Sequence, residues 1–390
     1  MTDETRSLSG VRIDDRGRGR YVDIPLACPR NRERYNMTME KIDAHTHHPG
    51  DVRESAALLK EMKLKLINIA IAVRSKDWRS GEVRGADQYH RLARKHPERY
   101  AWCTSFDLPN GEDPDYTERV IEGLKQDLAA GAVACKFWKN IGLEVRKPSG
   151  AYLHLDDACL APIFSYLQKA GVTVVIHAGD PRKYWKPLRK GGSRYAYHGD
   201  LVQSSLRRGC EVPAYEEILG ARDRVLTLYP RLQVVGAHLG SHERDLVGLA
   251  KRLDRYPNFA VDTAARVVDL AHHKRGLVRD FFAKYQDRIL WGTDLGAWRA
   301  QSRMSTQEAG TLLDCLRSDY LEEFAFYETN RRLRIHNFTW NKTAPDALHV
   351  GGRPQLPGEP VLGLGLSGSF LQKFYCSNAK RWFPRLPSAW

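Results

Sequence analysis

No stretch of about 18 apolar residues occurs anywhere in the chain, so no segment is long and apolar enough for a membrane-spanning helix. Seven cysteines, at 28, 103, 135, 159, 210, 315 and 376, form no C-x-x-C pair and are odd in number. That excludes a simple disulfide framework and points to a reduced, cytoplasmic protein. The opening stretch, MTDETRSLSGVRIDDRGRGRYVD, lacks the apolar core of a secretory signal. Zinc-finger spacing, RNA-binding signatures and aromatic–basic stripes are also missing. The net charge of +14 therefore does not mark a nucleic-acid partner, because most basic residues are interleaved with acids. One segment departs from this mixing. Between Arg182 and Arg208 lie eight Lys/Arg (182, 183, 186, 189, 190, 194, 207 and 208) against the single acid Asp200.

What is present is an alternation. Short apolar, β-branched runs recur at KLINIAIAV (65–73), YAWCTSF (100–106), AVACKFW (132–138), VTVVIH (172–177), LQVVGAH (232–238), NFAVDTA (258–264) and RILWGTD (288–294). With EKIDAH (40–45) they make eight candidate strands. Amphipathic stretches separate them, among them 54–64, 115–131, 160–171 and 244–257, with glycine or proline stops at Gly131, Gly171 and Pro257. Buried strands alternating with helices predict an α/β fold with a parallel sheet. Eight such units predict a (β/α)8 TIM barrel over 40–390, preceded by a polar, aperiodic arm at 1–39. The long interval from His177 to His238 predicts an insertion after the fifth strand, at 180–215, which holds the basic segment. The C-terminal segment, 330–390, is expected to be irregular before a final helix, SGSFLQKFYCSNAKRWF.

Catalytic groups of such barrels sit at the C-terminal strand ends, and the polar residues of this sequence fall there. The first strand ends in Asp43-Ala44-His45-Thr46-His47, the fourth contains Lys136, the fifth ends in His177, the sixth in His238 and the eighth in Asp294. By strand alternation His45 and His47 face one way, and His48 the other. His45, His47, His177 and Asp294 together make a ligand set suited to Zn²⁺ or a similar divalent ion, with room for a water that the metal activates.

The stretches IDAHTH, VVIHAGDP, VVGAHLGS, FAVDTAAR, DRILWGTDLG and FLQKFYCSNAKRWF resemble, in this order, the amidohydrolase superfamily. The resemblance is to its amidohydrolase-2 branch, which includes aminocarboxymuconate semialdehyde decarboxylase, and it runs from about residue 40 to the C-terminus. It implies that His45, His47, His177 and Asp294 hold one divalent metal, Zn²⁺ first and Mn²⁺ second. It also implies that Asp294 takes a proton from the activated water, and that His238 polarises substrate or shuttles a proton. In binuclear relatives a fourth-strand lysine is carboxylated and bridges two metals. Lys136 is open between that bridge, an ammonium that binds a substrate carboxylate, and an ion-pair lysine. Arg266 at the rim, and Tyr184, Trp185 and Tyr197 in the basic insertion, are candidate contacts for a small, carboxylated substrate. The expected activity is hydrolysis of an ester, lactone or amide. The alternatives are decarboxylation or hydration at the same site, or a non-enzymatic binding protein. Analogy with the branch adds a homodimer.

Overall fold

The computed structural model describes residues 8–13, 19–24, 37–48, 53–73, 78–80, 85–109, 113–185, 201–296, 306–333, 335 and 360–390. Strands β1 (Leu8–Ile13) and β2 (Gly19–Ile24) pair antiparallel, so the arm read as aperiodic contains a hairpin. Eight parallel strands follow: β3 (Lys41–Thr46), β4 (Leu64–Ile69), β5 (Tyr100–Thr104), β6 (Ala134–Phe137), β7 (Thr173–Ile176), β8 (Val234–Gly236), β9 (Phe259–Asp262) and β10 (Ile289–Leu290). They pair in chain order. The two outer strands meet through Ala44 N–H to Trp291 O (3.0 Å), Asp294 N–H to His45 O (2.7 Å) and His47 N–H to Leu295 O (2.8 Å), which closes a TIM barrel.

Helices Arg53–Met62, Ala86–Lys95, Tyr116–Ala129, Ala161–Lys169, Tyr215–Leu228, Leu246–Arg255, Arg275–Lys284 and Thr306–Glu328 complete the eight units. In Tyr116–Ala129 the buried Tyr116, Val120, Leu124 and Leu128 recur every fourth residue, one stripe of a 3.6-residue helix. Each such side chain contributes roughly 1.5–3 kcal/mol on burial. The chain leaves this helix through Gly131 at φ 95°, a left-handed exit that a residue with a Cβ resists.

Two apolar layers result. The outer one lies between strands and helices. The inner one fills the lumen with Ile42, Ala44, Ile67, Ile69, Ala101, Val175, Val235, Ala260 and Leu290, and continues into Trp382, Phe383 and Trp390. The C-terminal tail thus plugs the barrel floor. Trp390 Nε1 donates to Pro97 O (2.7 Å), Lys65 Nζ to Ala389 O (3.1 Å) and Arg385 Nη2 to Leu128 O (3.0 Å), all at or before strand starts.

The final helix is present over Gly368–Trp382, with a π turn at Lys373–Ser377. Strands β11 (Arg332–Leu333) and β12 (Val361–Leu362) pair antiparallel within the segment expected to be irregular. In the insertion, Arg182–Trp185 forms a turn and Leu201–Arg207 a helix. Residues 186–200 of the basic stretch, including Tyr197, lie outside the described residues. A buried Lys139–Asp180 ion pair anchors this insertion, because Asp180 Oδ2 also accepts from Val202 N (2.9 Å). No helix among the described residues is long and apolar enough to cross a membrane.

Candidate metal centre

Simple alternation does not bring the histidines together. Ile42 and Ala44 face the lumen, so an unbroken strand would turn His45 outward. The β3–β4 ladder slips between Asp43 and Thr46, and such an irregularity re-aims side chains. Left-handed backbone does the same at the other strand ends: φ is 59° at His238, 54° at Ala265 and 62° at Asp294. These conformations are costly for residues with a Cβ and persist only where neighbours over-determine them. Here Asp262 Oδ1 accepts from His238 N (2.7 Å), Thr293 O from Ala265 N (3.1 Å) and His45 O from Asp294 N (2.7 Å). The helix Tyr215–Leu228 adds two clamps: Arg222 donates to Gly240 O, and Tyr215 to Ser241 O.

Four of the five polar residues expected at the metal centre meet closely. Asp294 Oδ1 lies 3.2 Å from His47 Nε2 and 3.8 Å from His45 Nε2. The His238 ring centroid is 4.9 Å from that of His45 and 4.3 Å from that of His177. Donor atoms of His45, His238 and Asp294 all fall within 4.8 Å of one another. His177 joins through His238, at the end of β7.

Hydrogen bonds decide which ring nitrogens are available. His45 Nδ1 faces Asp262 Oδ2 (2.8 Å) and His238 Nδ1 faces Ala264 O (2.8 Å). A carbonyl only accepts, so His238 carries its proton on Nδ1 and keeps a lone pair on Nε2. His177 Nε2 is buried with no hydrogen-bond partner. Burial holds His238 well below the ordinary imidazole range, and the Arg266 charge adds to this against the pull of Asp294. His177 is lowered for the same first reason, with His238 and Lys139 adding. Burial alone would raise the Asp294 carboxyl, but the His47 hydrogen bond and the surrounding imidazoles hold it well below its usual value. His238 and His177, both pushed toward the neutral ring, offer imidazole nitrogens beside the ionised Asp294 carboxylate, and His45 and His47 adjoin that carboxylate. Imidazole and carboxylate donors of this kind suit Zn²⁺ or Mn²⁺, so the residues present fit a divalent metal.

Lys136 is buried on β6, with its charge felt at His177 and Cys103. Its neighbours Cys135 and Phe137 belong to the outer layer, as alternation predicts. Arg266 follows β9. Its Nη1 donates to Ala265 O (2.8 Å), while its buried Nε has no acceptor. Burial would lower Arg266, but Asp269, Glu243 and Asp294 raise it. Tyr184 lies close enough to Arg266 to contribute to that field. The Trp185 indole is engaged structurally, donating to Pro213 O (2.8 Å) and stacking edge-on to Tyr215. His48 packs its ring 5.9 Å from Tyr100.

Three acids were assigned no role from the sequence. Asp262 bridges His45 and His238. Asp43 accepts from His45 N (3.2 Å), Thr293 N (3.0 Å) and Tyr320 OH (3.1 Å), joining β3 to the chain before Asp294 and to the last long helix. Glu243 is buried near Arg266, and burial raises its carboxyl. A carboxylate at the end of an otherwise apolar strand, as in FAVD, is the signal that could have singled out Asp262.

Residues 42–385 match the model of the amidohydrolase family, in its amidohydrolase-2 form. No curated protein matches the chain. Solved structures that resemble it include 2,6-dihydroxybenzoate decarboxylase from Rhizobium, at 14% identity over 89% of this chain and 99% of that one, with a TM-score of 0.48. An uncharacterised TIM-barrel protein from Bordetella bronchiseptica is 16% identical over 89% and 99%, with a TM-score of 0.49. A 4-oxalomesaconate hydratase from Rhodopseudomonas palustris is 13% identical over 90% and 97%, with a TM-score of 0.45.

Proposed function

Because the chain belongs to the amidohydrolase family, we propose that it is a metal-dependent hydrolase that cleaves an ester, lactone or amide bond of a small, anionic molecule. The observation that carries this reading is the convergence of His45, His238 and Asp294, with donor atoms within 4.8 Å, at the C-terminal rim of the barrel. His45, His47, His177 and Asp294 are the proposed ligands of one Zn²⁺ or Mn²⁺. When bound, such an ion supplies a Lewis acid and a water of lowered pKa.

The protein's own groups supply the rest. Asp294, held ionised, accepts the proton of the attacking water. His238 has no proton on Nε2, so it is suited to receive a proton there and pass it to the leaving oxygen or nitrogen. Burial opposes a standing imidazolium and so favours prompt transfer of that proton onward. The permanent charge of Arg266 and its unpaired Nε–H suit a substrate carboxylate. Lys136 adds positive charge from the barrel wall.

The test is a panel of lactones, carboxylated esters and amides, with carboxylate and CO₂ release followed side by side. Carboxylate appearance that a chelator abolishes and Zn²⁺ or Mn²⁺ restores is the expected result. CO₂ release, or water addition across a double bond, would assign the same residues to decarboxylation or hydration. Metal-independent turnover would overturn the reading.

A further inference from the structure

We infer that Asp262 is a positioning residue that fixes the tautomer of His45 and the seat of His238. The inference deepens the metal reading and rests on it for its consequence, though not for its geometry. Asp262 ends β9 on the lumen side and is 1% exposed. Its Oδ1 accepts two backbone donors, His238 N (2.7 Å) and Ala264 N (3.1 Å). Its Oδ2 faces His45 Nδ1 at 2.8 Å. One carboxylate therefore ties the ends of β3, β8 and β9 together.

The two backbone donors remove any freedom to rotate, because Oδ1 must face them. A carboxylate only accepts, so the proton shared with Oδ2 belongs to His45 Nδ1. His45 Nε2, on the Asp294 side at 3.8 Å, then keeps its lone pair. The same carboxylate holds the amide of His238, whose left-handed φ of 59° needs an outside partner. Asp262 touches neither ring's Nε2 and acts only through His45 and His238.

The substitution Asp262→Asn turns this logic into a measurement. Asn must keep its oxygen toward His238 N and Ala264 N, since both are donors. Its NH₂ then faces His45 Nδ1, which must accept, and the His45 proton moves to Nε2. That blocks the nitrogen that points into the site. The side chain keeps its size and both backbone bonds, so the barrel end stays assembled.

The experiment uses ¹⁵N-histidine-labelled, metal-free full-length protein. The His45 resonance is assigned by its loss in His45→Ala, and Zn²⁺ affinity is measured separately by competition. Wild type is expected to show His45 protonated on Nδ1, and Asp262→Asn on Nε2. Zn²⁺ affinity should fall about 10–100-fold in the variant, the range typical of lost outer partners of a ligating histidine. Wild-type His45 protonated on Nε2 would overturn the inference without any variant. An unchanged tautomer with unchanged affinity in Asp262→Asn would overturn it too. A tautomer switch in a protein that takes up no Zn²⁺ would sustain the role of Asp262 while the metal reading fails.

Discussion

Backbone bonds divide the labour among the histidines. His238 gives its Nδ1 proton to Ala264 O, which suits it to accept protons, whereas His177 Nε2 is left without a partner. His177→Ala should therefore lose most bound metal, while His238→Ala should retain it and lose turnover by at least about 100-fold, the lower bound for general acid–base catalysis. Metal content and rate measured on both variants decide this, and equal metal loss in the two would reassign His238 as a ligand. Glu323, which is not among the proposed metal or substrate contacts, offers a pH test. Burial holds its carboxyl well above the ordinary value, against the bond from Trp291 Nε1 (2.7 Å). An acid raised in the folded state stabilises it below the unfolded pKa and loses that contribution as pH rises toward the folded value. Glu323→Gln keeps an acceptor for Trp291 and cannot ionise. Its melting temperature should match wild type near pH 4, below the unfolded value, and exceed it increasingly as pH rises above that, and parallel melting curves would contradict this. That His45, His47, His238 and Asp294 would cluster was legible in the sequence because imidazoles and carboxylates at strand ends have few packing uses. The hydrogen bonds that select their reactive nitrogens were not, since Asp262 and His45 are paired only through the closed barrel.

The strands were readable because most are short apolar runs, several rich in β-branched residues, buried on both faces. The slip in β3, the left-handed turns after β8, β9 and β10, and the π turn in the last helix have no such signature. They arise from contacts between distant elements. Thr306–Glu328 went unread because its polar residues are used inside: Tyr320 bonds Asp43 and Glu323 bonds Trp291, which blurs its apolar face. The seam between β3 and β10 depends on close approach. A Cβ on Gly292 would sit 2.9 Å from His45 Cβ, and one on Gly296 would strike the His47 carbonyl. Overpacking of this kind costs about 1–3 kcal/mol. Gly296→Ala is thus expected to lower the melting temperature and weaken metal uptake together, whereas Gly276→Ala, in a helix where a Cβ meets nothing, should lower neither. Thermal melting with metal analysis on the pair checks this.

At the scale of the whole molecule, stability and chemistry occupy opposite ends of the barrel. The floor is closed by the C-terminal tail and the rim carries the histidines. Trp390→Ala removes a side chain that is 7% exposed and bonded to Pro97 O. It should cost about 3 kcal/mol in stability while metal content at low temperature stays unchanged; loss of metal in the folded variant would show that floor and rim are coupled. Positive charge is concentrated in the sequence between Arg182 and Arg208, which follows β7, and such a charge suits attraction of an anion. The most direct test of the central claim is the metal content of the purified, full-length protein, prepared without chelators, beside His45→Ala and Asp294→Ala. About one equivalent of Zn²⁺ or Mn²⁺ in wild type, lost in both variants, is the predicted result, and about two would promote Lys136 to a carboxylated bridge. A folded wild-type protein that contains no divalent metal and takes none up would contradict the account.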